Sequence, residues 1–216
     1  MTVTTEPEAL LSHLHKTDGS ATYSFAGYTV IGAVNGPIEA QKRDELPEEA
    51  IIDVIVRPSA GVGVTPENEY VNGKLVRANV NLPVLPALLQ TATLSLLSAS
   101  LPMTATLTST SLAIISEDGR QQTITNPTAR QIEQSQSFHV LAFTSQNELL
   151  LAESEGTFTM KEWDDVYSAA YGQCCTTAAV GDTDTLMDEG LPTDAGLMRF
   201  VRSTVEQQTA SDLYWK

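Results

Sequence analysis

Two carboxylate pairs, three histidines and a vicinal cysteine pair are the groups in this chain whose chemistry could make or break a bond. The carboxylates are Asp164-Asp165 and Glu153 with Glu155. Paired acids can divide the acid and base roles of a reaction when their surroundings hold protons unequally. Asp164 and Asp165 fall on an amphipathic helical pattern, and Glu153 and Glu155 alternate along an extended one, facing the same side. A solvated face accounts for both pairs better than acid–base work does. Glu45, Glu48 and Glu49 surround a Leu-Pro and read as loop surface.

His13 and His15 lie in a short N-terminal stretch, where solvation is expected. His139 sits between Phe138 and Val140 on a strand pattern, which points to a structural imidazole. Cys174 and Cys175 are the only cysteines. Adjacent helical residues point to different faces, so the expectation is two reduced thiols rather than a disulfide. The glycine-rich stretch Gly61 to Val64 is followed by Thr-Pro, not by the Lys-Ser or helix start of a phosphate cradle. There is no dinucleotide fingerprint, no zinc-ligand spacing and no Gly-x-Ser-x-Gly elbow. The residues alone describe a soluble domain without an evident catalytic centre, cofactor or metal.

The elements that would position these groups sit in a chain of 216 residues with a net charge of −15. From Thr144 to Asp194 there are eleven acids and one base, Lys161, against eleven acids and six bases in the first eighty residues. This balance argues against independent binding to nucleic acid or to anionic membranes. The N-terminus carries early acids and only a short apolar run, unlike a signal peptide. Nothing is charged from Ala78 through Ser116. Within that stretch, Pro86 and Pro102 leave only about 15 residues between them, short of a membrane span. At helical spacing Leu85, Leu88, Leu89, Ala92, Leu96 and Ala99 share one face, and Ala87, Leu94, Leu97 and Leu101 gather opposite. A helix apolar on two sides is expected to be sandwiched in a core.

Around it, ATYSF and YTVIGAV predict a hairpin at Ala26-Gly27. AIIDVIVRP reads as a strand, ENEYVNGKLV as an Asn-Gly turn, and TATLTSTSLAII and QQTIT as strands. SFHVLAFTSQNELLLAESEG reads as a hairpin turning at Ser145 to Glu148. Thr159 and Glu162 form a capping box for the helix that follows. Clustered rather than alternating elements predict an α+β fold, with helices on a mixed, mostly antiparallel sheet. The expected division is a tail at 1–15, a main domain at 16–180, an acidic flexible segment at 181–194 and a C-terminal helix at 195–216.

The order of the motifs adds a family. DGSATYSF, TVIGAVNGPIE and RDELPEEAIIDVIVRPSAG, then ALLQTATLSLLSASLPM, NPTARQIEQSQSFHVLAF and NELLLAESEGTFTMKEW, together resemble a ribonuclease PH domain of the RNA exosome. Active members of that family hold phosphate with a Gly-Thr-Arg loop before the central helix, since arginine offers a bidentate fork. They also use two aspartates near the strand after that helix, with a metal ion. Here the matching loop is Pro83, Val84, Leu85 and Pro86, with Leu85 opposite the arginine. The only acid across QQTITNPTARQIEQ is Glu133.

The resemblance therefore implies a catalytically inactive ring subunit. Its partners would be other PH-domain subunits in a hetero-hexameric ring, S1/KH cap subunits and RNA in the assembled channel. The implied work is rRNA maturation and RNA turnover, in the nucleus, nucleolus and cytoplasm. Lys42, Arg43 and Arg57 are the candidate RNA contacts, against the plainer role of solvated surface. The alternatives are a phosphorolytic exoribonuclease and a shortened isoform outside the ring. The chain departs from the family between Val64 and Pro66, where a helix and at least one strand are missing, about 40 residues at usual element lengths.

Overall fold

Ala26 and Gly27 both have positive φ, 50° and 84°, the left-handed pair that a tight two-residue hairpin needs. They join β2 (Gly19–Phe25) to β3 (Tyr28–Val34) in antiparallel register, Phe25 opposite Tyr28. The computed structural model describes residues 6–39, 52–57, 70–71, 74–75, 82–117, 120–175 and 196–214. These belong to two units, Met1–Asn35 with Leu82–Lys216, and Gly36–Asn81.

In the first unit, β1 (Glu8–Leu11) pairs with β2 and completes a three-stranded sheet. The stretch that reads as a tail thus contributes a strand, because Leu11 is buried against Ala21 and Tyr23. Four residues are too few for alternation to announce it. The second sheet has the order β7-β6-β8-β9. Its strands are β6 (Leu107–Glu117), β7 (Arg120–Thr125), β8 (Ser137–Thr144) and β9 (Leu149–Gly156). Every strand pair among the described residues is antiparallel.

The central helix α1 (Leu85–Ser98) packs on both sheets, as expected of a sandwiched helix. Of the two expected faces, the second supplies the buried Ala87 and Leu94, with Leu97 packed beside them, whereas the first supplies no fully buried residue. Ala87, Gln90, Thr91, Thr93, Leu94 and Ser95 are buried, whereas Leu88, Leu89 and Leu96 are half-buried and Ala92 is exposed. The reason is local. The Thr91, Thr93 and Ser95 hydroxyls donate to the carbonyls of Ala87, Leu89 and Thr91, at 2.6, 3.0 and 2.8 Å. Each hydroxyl is satisfied within the helix, so small polar side chains can enter the core at no hydrogen-bonding cost. Gly19 uses that close approach: a Cβ there would stand 2.6 Å from the Ser95 carbonyl oxygen.

The opposite face of the second sheet carries α3 (Met160–Cys175), whose Val166, Ala170 and Cys174 cover Leu112, Ile114, Leu141 and Phe143. Its start is the capping box read from the sequence. The Thr159 amide donates to the Glu162 carboxylate, and the Glu162 amide donates to the Thr159 hydroxyl. A short α2 (Ala129–Glu133) follows β7, and α4 (Leu197–Asp212) buries Leu197 and Val201. No described helix is long and apolar enough to cross a membrane.

In the second unit, β4 (Tyr70–Val71) and β5 (Lys74–Leu75) pair on either side of Asn72-Gly73. Residues 52–57, expected as a strand, belong to none and are exposed throughout. Their β-branched composition favours extended backbone, but a strand also needs a neighbour's ladder, which composition cannot specify. The acidic segment 181–194 and the Val64–Pro66 junction lie outside the described residues.

Candidate functional site

Before α1 the chain makes a single 3-10 turn, Leu82–Val84, and enters the helix with Leu85 and Pro86 in its first turn. Proline is suited to this position, where its missing N–H would have no helical partner. The stretch expected to correspond to a phosphate loop is therefore helix entry. Pro83, Val84, Leu85 and Pro86 are all half-buried. Leu82 and Leu85 pack on the Ala113, Phe138 and Val140 cluster of the second sheet. Where the sequence resemblance would put a guanidinium, this chain has an aliphatic anchor holding α1 to its sheet.

Across from this turn, the chain leaving β7 reverses at Asn126, whose φ is 51°. The Asn126 amide donates to the Ser111 carbonyl at 2.8 Å, and the Thr110 hydroxyl lies 3.3 Å from Asn126 Oδ1. Thr110 also donates to Gln173 Oε1 on α3 at 2.6 Å, and Ser109 donates to the Pro86 carbonyl at 3.0 Å. These bonds tie β6 to the α1 entry on one face and to α3 on the other. Together with β2 and β3 they enclose a pocket of about 20 Å³, lined by Tyr23, Tyr28, Pro83, Pro86, Ser109 and Asn126 among others. That volume holds little more than one water molecule. All of its lining residues are neutral. Burial, and to a smaller degree the neighbouring Cys174 sulfur, raise the Tyr23 phenol well above its usual range, so it stays protonated.

The pocket has no cation to neutralise phosphate and no carboxylate to hold a metal or move a proton. Among the described residues no cluster of His, Cys, Asp or Glu could hold a metal ion. Sequence reasoning found the α1 entry but not Tyr23, Tyr28, Ser109 or Asn126, which converge from three distant segments.

The remaining candidates are dispersed. Arg57 is exposed, and Lys42 and Arg43 lie outside the described residues. Glu153 and Glu155 are exposed on β9, and Asp164 and Asp165 are exposed on α3. His139 is fully buried, its Nδ1 2.8 Å from Ser154 Oγ and its Nε2 3.0 Å from Ser137 Oγ. Both ring nitrogens are engaged, as a structural imidazole requires. His13, expected to be solvated, is half-buried with Nε2 3.1 Å from Thr22 Oγ1. The turn after β1 folds it back over the sheet. Cys174 and Cys175 are free and buried; burial pushes the Cys174 thiol up to about 12 and raises Cys175 as well.

The fold is thus an α+β domain of two antiparallel sheets sharing one central helix, with a small, uncharged pocket at that helix's entry. No protein-family model matches the chain. Its sequence is 28% identical over 185 residues to the exosome complex component RRP46 of Saccharomyces cerevisiae, covering 70% of this chain and 82% of that protein. A shorter stretch of 54 residues is 41% identical to exosome complex component rrp46 of Schizosaccharomyces pombe, 25% of this chain and 24% of that protein. The crystal structure of rice Rrp46 superimposes with a TM-score of 0.61 at 15% identity, covering 93% of this chain and 94% of that one. The chain is Rrp46-like in sequence and has the Rrp46 fold. The match to the budding-yeast protein spans more positions than the residues of this chain it takes in, so the alignment opens gaps on this chain's side.

Proposed function

We propose that this chain is a non-catalytic subunit of an RNA exosome. It joins other PH-type subunits in a ring that supports cap subunits and admits RNA to its channel. Membership is supported by the likeness to the two yeast exosome components. The observation that carries inactivity is the small, neutral pocket at the α1 entry, where Leu85 serves packing. Phosphate cannot be stripped of water and held by prolines and tyrosines without a compensating charge. In this role the chain acts in rRNA maturation and RNA turnover, in the nucleus, nucleolus and cytoplasm. Arg57, with Lys42 and Arg43, supplies at most peripheral contacts to RNA.

Co-expression with PH-type subunits, followed by size-exclusion chromatography, tests the proposal. The chain is expected to migrate with them at high mass, and the purified protein to release no nucleoside diphosphate from RNA and phosphate. Phosphate-dependent release by the purified chain would overturn inactivity. A folded chain that ignores every ring subunit would overturn membership and favour the shortened isoform.

A further inference from the structure

The strand β9 is an edge of its sheet among the described residues, and its two faces differ in chemistry. The register puts Glu153 opposite Val140 and Glu155 opposite Phe138, on the face shared with the α1 entry. Ala152 and Ser154 lie opposite Leu141 and His139, on the face beneath α3. There α3 carries Trp163, Tyr167 and Tyr171 at one-turn spacing. Trp163 stands 5.8 Å from the His139 ring, and Tyr167 and Tyr171 stand 5.6 and 5.7 Å from Phe143. His139 and Phe143 belong to β8, next to β9, and Val166, Ala170 and Cys174 pack in one core with Leu112 and Ile114 of β6 and Leu141 and Phe143 of β8. The aromatic row therefore stands on β8, the strand that pairs with β9. Its rim is exposed: Tyr171 is 39% exposed, Leu149 40% and Leu150 62%.

We propose that this edge receives an amphipathic strand of another protein by antiparallel addition to β9. On the face of Glu153 and Glu155 the incoming strand presents lysine or arginine. On the other face it presents aliphatic side chains, which pack on the exposed Ala152, on the side of the sheet that carries the tyrosine row. The ladder supplies affinity through backbone hydrogen bonds, and the alternation of side chains supplies selectivity. Carboxylates on an edge strand repel unselective pairing, so a partner must bring the opposite charge. Tyrosine and tryptophan beside a polar rim are the residues that concentrate binding energy at protein interfaces. RNA is a poor occupant, since Glu148, Glu153 and Glu155 lie on or beside β9 and Asp164 and Asp165 on α3, and Lys161 is the one base in the sequence from Thr144 to Asp194. The inference rests on the assembly reading for its biological setting, but its chemistry is tested without the ring.

The probe is a synthetic peptide matched in length to β9 that alternates lysine with valine and leucine. Binding is followed by Trp163 fluorescence in a Trp215→Phe background and by hydrogen exchange of the β9 amides. The alternating peptide is expected to bind at least about tenfold more tightly than the same composition in block order, and to protect β9. The Glu153→Lys/Glu155→Lys chain should lose that preference and gain one for a peptide alternating glutamate with the same aliphatics. Tyr171→Ser should weaken the lysine peptide without changing the far-UV circular dichroism. Equal affinity for alternating and block peptides, or binding indifferent to charge reversal, would overturn the proposal while leaving exosome membership to the co-migration test.

Discussion

Ser154 on the edge strand holds Nδ1 of the fully buried His139 at 2.8 Å, so an interior imidazole is anchored to an exposed residue. Ser137 engages Nε2, and the rings of Phe158 and Trp163 stand edge-on at 4.7 and 5.8 Å. Burial lowers the proton affinity of His139, and the nearby Glu162 carboxylate offsets this only in part. The unfolded chain then takes up this proton at the ordinary 6.5, before the folded chain does. The stability it contributes is complete above 6.5 and is lost as pH falls through the lower folded value. The urea midpoint should fall between pH 7.5 and 5.5, and His139→Phe should flatten that fall. Glu162 is lowered chiefly by the Thr159 amide, so its contribution is lost only below the ordinary carboxylate value of 4.5.

Two glycines should respond to alanine with opposite signs. A Cβ on Gly19 would stand 2.5 Å from the Ala99 backbone nitrogen and 2.6 Å from the Ser95 carbonyl oxygen. Backbone cannot retreat as a side chain can, so Gly19→Ala should destabilise by about 1–3 kcal/mol. At Gly172, inside α3, the position of a Cβ has nothing within 4 Å. There Gly172→Ala should stabilise by about 0.5–1 kcal/mol through helix propensity alone. Urea denaturation of both variants checks the pair.

Cys174 is 0% exposed and Cys175 6%, and burial keeps both thiols protonated at neutral pH. Thiolate, not thiol, attacks disulfide reagents. Neither cysteine should react with a disulfide dye in the native chain on the timescale of minutes, and both should react at once in urea. Rapid titration of one thiol in buffer would show that the α3 terminus opens without global unfolding.

What the sequence disclosed follows the range of the interactions involved. The Ala26-Gly27 hairpin, the β8–β9 hairpin and the Thr159–Glu162 box rest on neighbours within a few residues, and their signals are local. Hydropathy finds Ala87 and Leu94 on the buried face of α1 but leaves out Thr91 and Ser95, which it counts as polar. It cannot register that their hydroxyls are spent on the helix's own carbonyls. The strand at Glu8–Leu11 was missed because its evidence is Leu11 meeting Ala21 and Tyr23, a tertiary fact. The pocket was half legible for the same reason. Pro83 to Pro86 lie in one run, but Tyr23, Ser109 and Asn126 meet them only after folding.

Leu85 offers the sharpest test of whether one residue could make this pocket a phosphate site. Its side chain packs with Leu82 and Ile132 on Ala113, Phe138 and Val140. An arginine there would bring a charge against an apolar cluster and remove the anchor that fixes the α1 entry. Leu85→Arg should therefore cost about 1–3 kcal/mol of stability, read from the urea midpoint. It should produce no phosphate-dependent release of nucleoside diphosphate, because the pocket would still contain no carboxylate. Leu85→Met, which keeps the apolar volume, should cost less than about 1.5 kcal/mol and serves as the packing control. Phosphorolysis by Leu85→Arg would mean that the remaining machinery is intact, and the inactive reading of this pocket would fall.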